Sequence, residues 1–96
     1  MSPINKIKLN LLRKKLDNID NQLLKVIKRR TEIVKKVLSL KTHKREIIDK
    51  KRINVILKNI RRKSKNKKID QIITSRIWKS MIKAFIDYEY RNFKKK

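Results

Sequence analysis

The sequence predicts an all-α fold with three helices per chain, the first much the longest, paired into an intertwined antiparallel homodimer. Three observations carry this. Glycine is absent and the only proline is Pro3, so nothing breaks a helix internally and hairpin turns have no signal. Apolar residues recur at steps of three and four along most of the chain. The first apolar run is too long for a chain of 96 residues to cover by itself.

The first helix is expected over residues 5–42. One seam runs Leu12, Leu16, Ile19, Leu23, Val26, Arg30, Ile33, Val37, Leu40, in the alternating steps of a coiled coil. A second stripe beside it runs Asp20, Leu24, Ile27, Thr31, Val34, Leu38, Lys41. Such a helix measures about 57 Å at ~1.5 Å per residue. A compact domain of this size has a radius of gyration of only about 12–13 Å. A partner chain must bury the remainder, which predicts the homodimer.

A polar stretch, Thr42 to Ile48, follows. The second helix is expected from near Asp49, whose carboxylate can cap it and suits the positive helix end. Its apolar residues are Ile53, Ile56, Leu57 and Ile60. Arg61 to Lys68 (RRKSKNKK) reads as a charged connector. The third helix is expected from near Asp70 to near Asn92, carrying Ile73, Ile77, Trp78, Met81, Ile82, Phe85 and Ile86, with Trp78 and Met81 read as core. Together these make a single domain over 1–96, with its core over about 8–90 and a basic tail over 91–96.

Composition excludes several chemistries. Without cysteine there is no disulfide scaffold, thiolate zinc site or Cys nucleophile. The single histidine, His43, cannot supply a His cluster and reads as an exposed residue at a helix end. Without glycine no Gly-rich phosphate loop can form. No metal and no cofactor is therefore expected. No run approaches the ~20 apolar residues of a membrane span, and the opening MSPINK has no apolar leader core. These features predict a cytoplasmic protein with no membrane partner.

Lys and Arg number 31 against 8 Asp and Glu, a formal net charge of +23. Yet 46 of the 96 residues are Lys, Ile or Asn, whose codons are A/T-rich, so base composition accounts for the excess as readily as a polyanionic partner does. The cations are mostly lysine and are not interleaved with stacking aromatics. Nucleic-acid binding is accordingly expected to be nonspecific at most.

The informative charges are those on the apolar face. Arg30 interrupts the seam, Lys41 ends the second stripe, and three helical turns separate them. Arg13 opens the helix on a neighbouring stripe. If two such helices cross antiparallel near residues 22–24, Arg13 of one chain comes beside Arg30 and Lys41 of the other, with Arg52 able to fold back to the same place. Converging buried cations call for an anionic ligand, and Arg forks match carboxylates. Alternatively Asp17, Asp20, Glu32 and Asp49 neutralise them within the fold.

The segment LRKKLDNIDNQLLKVIKRR, then Lys41, then Asp49-Lys-Lys-Arg52, resembles the AroQ class of chorismate mutases, the short monofunctional bacterial type. That class opens with a pattern like LRxxIDxxDxxLxxLxxxR and a Lys eleven residues later. Leu12-Arg13, Asp17, Asp20, Leu23, Arg30 and Lys41 match it. The resemblance implies a chorismate mutase II-like intertwined dimer. It implies the Claisen rearrangement of the chorismate dianion to prephenate, in Phe and Tyr biosynthesis, without cofactor or metal. It also implies residue roles. Arg13, supplied across the interface, and Arg30 look like carboxylate clamps. Lys41 looks like the donor to the ether oxygen. Asp49 and Arg52 sit where the class contacts the substrate hydroxyl.

Three positions depart from the class: Ile53 where a Glu is common, Phe85 near a usual Ser, and Glu89 where a Gln is common. A carboxylate can donate to the ether oxygen only when protonated, so Glu89 predicts activity that rises toward acid pH. An isochorismate pyruvate lyase-like enzyme and a basic helical nucleic-acid-binding dimer are the alternative readings.

Overall fold

The computed structural model describes residues 1–94. It contains helix α1 (Pro3–Leu40), a 3₁₀ turn (Lys44–Glu46), helix α2 (Lys50–Asn66) and helix α3 (Gln71–Asn92). No strand occurs among the described residues, so the all-α architecture is the one expected. The chain divides into two compact units, Met1–Ile33 and Val34–Lys96.

The first unit is most of α1. The Ser2 hydroxyl accepts the Asn5 amide at 3.1 Å, and the Ser2 carbonyl accepts the Lys6 amide at 2.9 Å. Pro3 takes the first helical position, where a missing N–H costs nothing. This cap starts the helix two residues earlier than periodicity alone suggests. Leu12, Leu16, Ile19, Leu23, Leu24, Val26 and Ile27 are all between 45% and 63% exposed, so the seam is uncovered within one chain.

The second unit holds the end of α1, the linker, α2 and α3. Asp49 caps α2 by accepting the Arg52 amide at 3.0 Å. Asp70 caps α3 by accepting the amides of Ile72 at 2.8 Å and Ile73 at 3.2 Å. Both caps stand where the sequence puts them. α2 and α3 pack against one another, with Ile53, Ile56, Leu57 and Ile60 half-buried on one and Trp78, Met81, Ile82, Phe85 and Ile86 half-buried on the other. Near the turn that joins them two buried hydroxyls meet, Ser64 and Thr74 at 2.8 Å. Ser64 donates its single proton to the Ile60 carbonyl at 2.6 Å, so Thr74 is the donor between the two.

The expected connector over 61–68 is corrected here. α2 continues through Asn66, because Lys and Arg are good helix formers and no Gly or Pro intervenes. The helix then closes as a Schellman motif. The Ile69 amide reaches the Ser64 carbonyl at 2.8 Å and the Lys68 amide reaches that of Lys65 at 3.2 Å. Lys68 stands at the left-handed position with φ 57°. The basic tail expected over 91–96 begins within α3, and its residues 95–96 lie outside the described residues. Among the described residues only Leu38 and Ile47 are buried hydrophobics.

Candidate active site

Lys41 follows the last residue of α1, and its amide bonds the Leu38 carbonyl at 3.0 Å. Its ammonium donates to Glu89 Oε1 of α3 at 2.8 Å. The two side chains are 17% and 9% exposed, which makes this a partly desolvated charge pair, stronger than a surface one. The residues are 48 apart in sequence. Folding therefore creates a fixed ammonium beside a fixed carboxylate.

Two hollows meet at Lys41. One, of about 370 Å³, is lined by Leu38, Ser39, Lys41 and Tyr88 among others. The second, of about 530 Å³, is lined by Lys41, Glu46, Ile48, Asp49, Lys50 and Lys51. Each is within the size range of small-molecule sites. Tyr88 belongs to this neighbourhood, whereas Tyr90 is exposed.

The linker is organised by Glu46, a residue not singled out from sequence. Its Oε1 accepts from the Thr42 amide at 3.1 Å, the Thr42 hydroxyl at 3.0 Å and the His43 amide at 2.9 Å. These donors, the Thr42 hydroxyl foremost, hold the Glu46 carboxyl below its ordinary value. His43 is exposed, as expected, and its ring lies 3.3 Å from the same oxygen. The signal was present in sequence: a Glu three residues after the residue whose amide it receives is capping-box spacing.

The other expected residues are placed as follows. The Asp49 carboxylate is engaged in capping α2 and faces the second hollow. Arg52 is exposed and Ile53, four residues after Asp49, is half-buried. Phe85 is half-buried one turn before Glu89. Arg13 and Arg30 belong to the first unit, the former exposed and the latter half-buried. Seventeen residues separate them along α1, about 25 Å, so one chain does not bring them together. Within one chain Asp17, Asp20, Glu32 and Asp49 form no ion pair with another described residue. Lys41 is neutralised within the chain by Glu89 instead.

The sequence profile of one family, chorismate mutase type II, matches residues 12–90. The chain belongs to that family. Its members are isomerases, and the activity the family carries is that of a chorismate mutase. No curated protein and no solved structure matches the chain. The chorismate mutase match spans the seam, the Lys41–Glu89 pair and both helix caps of the second unit. No helix among the described residues is long and apolar enough to cross a membrane.

Proposed function

We propose that this protein rearranges chorismate to prephenate as a homodimer, in the branch of metabolism that leads to Phe and Tyr. The single observation that carries the reading is the Lys41–Glu89 contact at 2.8 Å, inside the segment that matches the family. The reaction is intramolecular and needs neither nucleophile nor redox group. What it needs is a folded conformer of the substrate and stabilisation of the negative charge that builds on the ether oxygen.

An ammonium has three N–H donors. Glu89 takes one of those of Lys41, and two remain for the ether oxygen and a substrate carboxylate. Arg30 and the partner's Arg13 hold the two carboxylates, each guanidinium offering a fork. Asp49 and Arg52 address the hydroxyl. Ile53 offers that hydroxyl no hydrogen bond, which raises KM, and Phe85 stands among the substrate-binding residues. Glu89 helps fix Lys41, yet its negative charge opposes the charge that develops in the transition state. A neutral donor at that position would not.

The test is chorismate consumption from about pH 5 to 8 with product identification, isochorismate being supplied in parallel. Prephenate is the expected product. The Arg30→Ala variant should lose about 10²–10³-fold in rate, the usual cost of one charge-stabilising donor. Glu89→Gln keeps an acceptor for Lys41, removes the negative charge and adds a donor, so it should raise the rate near neutral pH. A rate that is unchanged or lower in that variant would remove Glu89 from this role. Pyruvate from isochorismate, with no prephenate, would establish the lyase instead.

A further inference from the structure

From Lys50 to Ile69 the chain carries ten cationic residues and no acidic one. Eight of these lie on α2, and four of the eight form a stripe. Lys51, Lys58, Arg62 and Lys65 recur at steps of seven, four and three, which places them within an arc of about 60° on one side of the helix. Lys50 and Arg61 flank the stripe, and all six are exposed. The stripe is about 21 Å long from Lys51 to Lys65. Neither ion pair among the described residues involves any of them. Like charges at helical neighbour spacing repel one another, so the face is electrostatically unsatisfied as it stands.

We propose that this outer face of α2 is a docking surface for the phosphate backbone of a nucleic-acid duplex. The charge is complementary, and a duplex presents about one negative charge per 1.7 Å of axis, denser than a single strand. α2 has no aromatic residue, so it lacks the stacking platform that favours unpaired bases. The contacts are therefore to phosphates and independent of sequence. An anionic membrane is the poorer fit. An interfacial helix needs a bulky apolar face to insert, whereas Ile53, Ile56, Leu57 and Ile60 of α2 are half-buried and Val55 is its one large hydrophobic residue counted as exposed. A codon bias that supplied the lysines does not alter the field they create.

The test is fluorescence anisotropy of a labelled duplex of about 20 bp, titrated with the full chain between roughly 50 and 200 mM salt. Six phosphate contacts predict a slope of log K against log salt of about −5, hence about a thousand-fold loss of affinity over that range. The triple variant Lys58→Gln, Arg62→Gln, Lys65→Gln should reduce the slope by about three units. A control variant, Lys6→Gln, Lys8→Gln, Lys15→Gln, removes the same number of charges from α1 and should leave the slope near that of the wild type. Circular dichroism verifies that both remain helical. Should the triple variant lose helix, the single reversal Lys58→Glu takes its place, with Lys8→Glu as its control. Equal losses in the stripe and control variants would overturn the proposal in favour of diffuse attraction. Binding to phosphatidylserine vesicles without binding to the duplex would overturn it in favour of a membrane. Chorismate turnover is read separately, so failure of either proposal leaves the other standing.

Discussion

Lys41 and Glu46 lie five residues apart and fix the two ends of one short linker, one through its charge pair and the other through its hydrogen bonds. Glu46 is the residue whose titration the linker feels. Donors from Thr42 and His43 favour its ionised form and lower its value below the ordinary 4.5. A carboxyl depressed in the folded state stabilises it above the unfolded value, and that help is lost as pH falls through the folded one. Hydrogen-exchange protection of the Thr42 and His43 amides should therefore hold near neutrality and decline once pH drops below about 4.5. In Glu46→Gln protection should be lower throughout and lose that dependence. Of these linker residues the sequence marked Lys41, because it stands out against an apolar stripe. Glu46 passed unremarked because a polar stretch was read by polarity alone. The Lys41–Glu89 contact was not legible by spacing at all, since helical periodicity says nothing about partners 48 residues apart; the family pattern implied only that both serve the same ether oxygen.

Helix beginnings were readable and one helix end was not. Asp49 and Asp70 each have a carboxylate that can accept first-turn amides, and each does so. The segment RRKSKNKK looked like a connector because it is all polar, yet charge reports exposure rather than backbone geometry. α2 runs through most of it. The turn that ends α2 needs a left-handed residue, and with no glycine in the chain Lys68 takes the position at φ 57°. A side chain there is strained by the clash that glycine avoids. Lys68→Gly should stabilise the protein by roughly 0.5–1 kcal/mol, read as a higher midpoint in urea with an unchanged slope. A lower midpoint would mean that Lys68 makes compensating contacts.

At the scale of the whole molecule the open seam of α1 dominates. The periodicity and length of the first helix were legible in sequence. If Arg13 is supplied by the partner and Lys41 by the same chain, Arg13→Ala and Lys41→Ala should each be nearly inactive alone. Refolded together in equal amounts, half the dimers are mixed and each mixed dimer holds one intact site. About a quarter of wild-type activity should return. No recovery would place Arg13 and Lys41 in the same chain's site. The seam has one more consequence, for the life of the chain in a cell. Leu12, Leu16 and Leu23 on a solitary copy present the same surface that chaperones and proteases recognise on an unfolded protein. If two copies pair through the seam, survival depends on synthesis rate: where copies are scarce they are cleared before they meet, and abundance falls faster than gene dosage.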